Sequence, residues 1–184
     1  MKIPLVVVLM CVLAVPSGAA TPDIYRKHLT HPTEIQGYPC AKDYAWFFSD
    51  GHLNRCFLSR DTDIGKAHIP RGSIVELVQD GGLSYVMLNH DTVIGSVRCS
   101  GGGLLGPAEG AMTALYPSGQ VRSCFLPADA AVQGVPCARA TFWTAIMGHD
   151  EAVEFYEDGR LRSCGLAEDF GGQKKNMVWK SAAK

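Results

Sequence analysis

Internal repetition constrains this chain more than any other feature, because a recurring segment must fold alike each time and pack against its own copies. Four segments align: Trp46 to Leu58 (WFFSDGHLNRCFL), Ile74 to Leu88 (IVELVQDGGLSYVML), Met112 to Leu126 (MTALYPSGQVRSCFL) and Ala152 to Leu166 (AVEFYEDGRLRSCGL). Each is an apolar, aromatic or β-branched run, then Asp-Gly or Ser-Gly, then a second run with an aliphatic residue two positions after the glycine. This is a β-hairpin pattern, and Gly51, Gly81, Gly119 and Gly159 are expected to supply the positive φ of a two-residue primed turn.

A second phrase follows each of the first three hairpins and also precedes the first. It consists of an aliphatic residue, five spacers, another aliphatic residue and a glycine, as in Leu58-SRDTDIG, Leu88-NHDTVIG, Leu126-PADAAVQG and Leu29-THPTEIQG. The unit therefore runs from one such leucine to the next, with starts near 29, 58, 88 and 126. The later units are longer, and the added residues fall in 100–110 and 138–151, where surface loops tolerate insertion because closure entropy grows slowly with length. The only helical expectation is a turn or two over Ala140 to Met147.

The cysteines follow the same frame. Cys40, Cys99 and Cys137 lie three or four residues after the shared glycine, and Cys56, Cys124 and Cys164 lie five residues after a hairpin glycine. The second unit has Ile69 and Val86 at the matching positions and so lacks both cysteines together. Bonds within units explain that paired absence, which predicts Cys40 with Cys56, Cys99 with Cys124, and Cys137 with Cys164. Disulfide Cα atoms lie within ~7 Å, whereas alternate strands of a flat sheet are nearly ~10 Å apart. The first cysteine's segment must then either lie directly beside the second hairpin strand or leave the plane and cross one face.

Lys2, the apolar run Ile3 to Val15 and the small residues Pro16 to Ala20 read as a secretory signal peptide cleaved near Ala20. The run is too short for a transmembrane segment, and no later stretch reaches ~20 apolar residues. Cleavage removes Cys11 of the seven cysteines, leaving an even count for an oxidising, secreted or periplasmic setting. The resulting division is 1–20 signal peptide, 21–172 repeat domain and 173–184 C-terminal tail, the tail either fraying or adding an edge strand. With 17 basic against 18 acidic residues and 47% hydrophobic residues, the chain folds, and no basic excess drives nucleic-acid binding.

The hairpin phrase, aromatic then Asp/Ser-Gly then x-Leu, resembles the β-hairpin repeats of the MORN class, including their bacterial antitoxin-like relatives. It covers residues 44–58, 74–88, 112–126 and 152–166. The units here are longer, the Gly-rich Tyr and Trp phrase is missing, the cysteines have no counterpart, and a secretion signal departs from the relatives' cytoplasmic setting. The resemblance implies a stacked-hairpin sheet used for binding or scaffolding, with no catalytic residue to carry over.

Several other groups read as chemistry only with difficulty. His90-Asp91 and His149-Asp150 have the residue types of acid/base or metal pairs, yet neighbours on a strand point to opposite faces, so solvated turn residues are the simpler reading. Asp61, Asp63, Asp91 and Asp129 lack the spacing of a calcium loop and read as caps on turn amides. Gly101 to Gly106 satisfies G-x-G-x-x-G outside any βαβ context. No cysteine and histidine spacing fits zinc. The aromatics Trp46, Phe48, Tyr116, Phe155 and Tyr156 recur on first hairpin strands, and Arg55, Arg122 and Arg162 precede the second cysteine of their units.

These features together predict an all-β protein of four stacked hairpin repeats forming an extended or rolled antiparallel sheet, stapled by disulfides. The function expected is a non-enzymatic binding or scaffold module of the envelope or extracellular space, without cofactor or metal. Its partner is an unidentified protein or envelope ligand, and its binding face comprises Trp46, Phe48, Tyr116, Tyr156, Arg55, Arg122 and Arg162. The alternatives are a small secreted hydrolase with His and Asp residues on loops, or a periplasmic metal-binding protein.

Overall fold

The computed structural model describes residues 23–102, 112–139 and 152–181. The signal peptide, most of both insertions, the helix expected over 140–147 and the pair His149-Asp150 lie outside the described residues. Within them the chain is all β, with 18 strands and no helix. Ten strands form one antiparallel sheet in the order β1 (Ile24–Leu29), β4 (Asp43–Phe48), β5 (Leu53–Phe57), β8 (Ile74–Leu77), β9 (Leu83–Met87), β12 (Met112–Leu115), β13 (Val121–Cys124), β16 (Val153–Phe155), β17 (Leu161–Gly165) and β18 (Val178–Lys180). The other eight form four separate short hairpins: β2 (Thr33–Ile35) with β3 (Tyr38–Cys40), β6 (Thr62–Ile64) with β7 (Ala67–Ile69), β10 (Thr92–Ile94) with β11 (Val97–Cys99), and β14 (Ala130–Val132) with β15 (Val135–Cys137).

The four aligned segments are the long hairpins β4–β5, β8–β9, β12–β13 and β16–β17. Their loops correct the expected turn type. In the first, Gly51 N–H donates to Phe48 O and Phe48 N–H donates to His52 O, and the same pair of bonds recurs at Val78, Tyr116 and Tyr156. Only the glycine of each loop has positive φ, between 83° and 87°. These are three-residue loops, a type I turn closed by a glycine bulge, and not two-residue primed turns. Local chemistry explains the choice. Pro117 fixes the negative φ that a type I turn needs at its second position. The next residue accepts the N–H two positions on, from His52 to Asp50, Gly82 to Asp80 and Arg160 to Asp158 at 2.9–3.0 Å.

The primed turns lie elsewhere, in the second shared phrase, which opens each unit. Gln36 and Gly37 both have positive φ (50° and 83°), as do Gln133 and Gly134 (50° and 84°), which is the type I′ pattern. Gly65 and Gly95 lead the other two turns at 58° and 61°. Three of the four short hairpins are also closed at their base by an Asp side chain. Asp61, Asp91 and Asp129 accept the backbone N–H ten residues on, from Arg71, Gly101 and Arg139, at 2.8, 3.1 and 2.8 Å. Position 32 of the first unit is Pro, which offers no such acceptor.

Side chains alternate across the long sheet. One face carries the paired positions Cys56, Val75, Val86 and Thr113, then Cys124 with Val153 and Cys164 with Trp179. Disulfides join Cys40 to Cys56, Cys99 to Cys124 and Cys137 to Cys164, with Cα atoms 5.6–5.7 Å apart, so the short hairpins cross this face as a second layer. The ends of β3 and β15 stay tied to the sheet as well, through Ala41 N–H to Phe57 O and Ala138 N–H to Gly165 O. The core lies between the layers. It includes the leucine that opens every unit, Leu29, Leu58, Leu88 and Leu126, together with Leu166. In the second unit Ile69 and Val86, both fully buried, take the place of a bridge. Each disulfide stabilises the fold by roughly 3 kcal/mol in the chain-entropy model. The tail residues Val178–Lys180 add the last edge strand, on β17.

Candidate binding groove

Because the short hairpins and their bridges occupy one face, the functional candidates fall on the other. Register places Arg26 opposite Trp46, Trp46 opposite Arg55, Arg55 opposite Glu76 and Glu76 opposite Tyr85, a row across five strands of the open face. These groups interlock. The Arg55 guanidinium lies 4.6 Å from the centre of the Trp46 ring, and its Nη1 is 3.7 Å from Glu76 Oε2. Tyr85 donates its hydroxyl to the same carboxylate oxygen at 2.6 Å. Burial, and then that hydrogen bond, push the Tyr85 phenol up to about 12. Arg26 stacks over Tyr44 at 4.1 Å, and Phe57 lies 6.4 Å from Trp46.

Beside this row is a groove of about 700 Å³. Its aromatic wall is Tyr44, Trp46 and Phe57, and its rim carries Lys42, Asp43 and Arg71. The local sequence explains the wall, since Tyr44 and Trp46 alternate along β4 and so share a face. The side-chain cations of Arg26, Lys42 and Arg71 are exposed and have no carboxylate oxygen within 4.0 Å among the described residues, whereas Arg60 pairs with Glu34 and Arg160 with Asp158. Asp43 holds a φ of 110°, rare for a non-glycine residue, at the point where the chain enters β4. Strained backbone of this kind concentrates at functional sites.

The residues read from the sequence as one binding face do not gather into one patch: alternation puts Trp46, Phe48, Tyr116 and Tyr156 on the open side of their strands, but they are spread along the sheet. Trp46 and Arg55 belong to the row just described. Phe48 is buried opposite Ile24, and Tyr116 donates its hydroxyl to Phe155 O at 3.0 Å near the third hairpin tip. Phe155 itself is in the core. Tyr156 lies beneath Arg160 and Arg162 at the fourth tip. The three arginines do not share one register position. Arg55 sits in register with Trp46, while Arg122 and Arg162 occupy the extra, bulged position between the paired residues of their strands. Asn54 is the first unit's residue at that position, its amide donating to Leu77 O at 3.2 Å.

Sequence reasoning missed Arg26, Lys42, Tyr44, Phe57 and Arg71. The signal available was the Tyr-x-Trp alternation. The rest depends on a strand, β1, that precedes the repeat frame and on the closeness of turns from different units. His90 does not line the groove: it is exposed, and the neighbouring carboxylate of Asp91 is held by Gly101 N–H. No group of three or more His, Cys, Asp or Glu side chains among the described residues is arranged to hold a metal ion. The three intramolecular disulfides point to an oxidising environment, extracellular or periplasmic, and no described helix is long and apolar enough to cross a membrane. Comparison with protein-family models found no match, and neither did comparison with curated proteins or with solved structures.

Proposed function

We propose that the chain is an exported, non-enzymatic binding module whose working surface is the open face of the long sheet. One observation carries this reading: the aromatic-walled groove of that face is rimmed by Lys42 and Arg71, whose side-chain cations have no carboxylate partner among the described residues. A cavity of this size, mostly apolar with a few placed charges, has the make-up of a ligand site. The likeness to MORN-type hairpin repeats supports the same use of a stacked-hairpin sheet. Secretion through the segment 1–20 is part of the proposal, and the bridges support it.

Affinity capture from the native envelope tests the reading, with the oxidised protein and its Lys42→Glu/Arg71→Glu variant as parallel baits. A component retained by the first bait and lost with the second is expected. Identical retention by both baits would remove the groove from the function.

A further inference from the structure

Resting on the reading of this groove as a binding site, we infer that its ligand is a polysaccharide bearing carboxylate groups, such as a uronic-acid chain. Three features of the groove select that chemistry.

The first is charge. Lys42 and Arg71 lie at the rim with Asp43 as the only carboxylate among the lining residues. Arg26, stacked on the Tyr44 ring, adds a third cation without a carboxylate partner among the described residues, at the neighbouring edge. A planar guanidinium held by stacking presents its donors to a carboxylate with little further ordering cost. The ligand is thus anionic, although the whole chain carries a formal charge of only -1. A local arrangement, and not a net basic surface, makes the attraction.

The second is the wall. Tyr44, Trp46 and Phe57 offer flat apolar surface to the groove. A pyranose ring carries C–H faces that lie against aromatic surface, with its charged substituent at the ring's edge, where it reaches the rim. An inorganic anion would leave the aromatic wall unused, and a neutral apolar molecule would leave the cations unpaired.

The third is the backbone. Both strands in the wall are already paired on both sides, β4 with β1 and β5, and β5 with β4 and β8. No free strand edge runs through the groove, so an extended acidic peptide would find no main-chain partners there. A sugar chain needs none.

The test titrates the oxidised protein with three probes, followed by calorimetry and tryptophan fluorescence. Oligogalacturonate supplies rings and charge, its methyl ester supplies the same rings without charge, and polyglutamate supplies charge without rings. Saturable binding of oligogalacturonate is expected. It should weaken roughly tenfold or more, about 1.4 kcal/mol or more, for the ester and likewise in Lys42→Glu/Arg71→Glu, since each removes a charge-assisted contact. Both substituted residues are exposed, so an unchanged melt will show that the variant is folded. Polyglutamate should bind far more weakly. Equal binding of polyglutamate would mean that charge alone is read, equal binding of the ester would remove the role of the cations, and binding of no probe would overturn the ligand class. None of these outcomes bears on the envelope-capture comparison, through which the broader reading stands or falls separately.

Discussion

Alanine at the four long-hairpin glycines should not cost the same, although the four backbones are alike. Gly51, Gly81, Gly119 and Gly159 all have φ within 83–87°, so the strain of a left-handed alanine, about 1–2 kcal/mol, is common to them. Their surroundings differ. A Cβ at Gly51 or Gly81 meets nothing within 4 Å, and at Gly159 it makes only ordinary contact with Gln120 at 3.8 Å. At Gly119 it would collide with the backbone of Ile64, Lys66 and Ala67, because the β6–β7 turn docks there through Lys66 N–H to Ser118 O at 3.0 Å. Relieving that collision breaks the hydrogen bond, worth about 1 kcal/mol, and lifts the only short hairpin that has no disulfide to hold it. Gly119→Ala should therefore lose about 3 kcal/mol or more, against about 1–2 kcal/mol for the other three. Chemical denaturation of the oxidised proteins reads the difference directly. Gly65→Ala should behave like Gly119→Ala, since its Cβ would meet Ser118 C and O at 2.5 Å. The double variant should fall short of the sum, because both changes break one contact. Equal destabilisation at all four hairpin glycines would refute the docking of these two turns.

Thr113 is fully buried in the inner row with its hydroxyl lacking a hydrogen-bond partner among the described residues, so Thr113→Val should raise unfolding stability by about 1 kcal/mol. The pair Ile69→Cys/Val86→Cys, equivalent in the repeat to the three bridges, should oxidise to a fourth disulfide; thiol titration would show no free thiol and a melt that reductant lowers. Glu76→Gln should bring the Tyr85 phenol down from about 12 in a spectrophotometric titration, because it removes a charge that opposes the phenolate. With the folded value above the unfolded one, the stability linked to Tyr85 is complete below pH ~10 and is lost as pH rises toward about 12. An unfolding free energy that stays flat across that window would contradict the assignment.

The parts of the fold legible in the sequence were those that repetition writes several times. Cys40 and Cys56 are paired because Ile69 and Val86 replace both members together, and one unit's exception is as informative as the others' agreement. The long hairpins were legible for the same reason. Their turn type was not, because Asp-Gly fits both a primed turn and a bulged three-residue loop, and only Pro117, at one of the four loops, discriminates. The short hairpins were hidden by their length, three residues per strand, too few for alternation to show. For the site, Trp46 and Arg55 could be named from the hairpin, but their facing each other follows from register. Lys42 and Arg71 come from turns of different units, and the groove exists only once β5 brings those turns together.

Whether the Tyr44, Trp46 and Phe57 wall is open at all depends on which face the short hairpins cover, and the sulfur bridges fix that. Peptide mapping of the protein under non-reducing conditions should yield Cys40 linked to Cys56, Cys99 to Cys124 and Cys137 to Cys164. A fragment joining Cys124 to Cys137 would put the short hairpins elsewhere and close the groove to the role assigned to it.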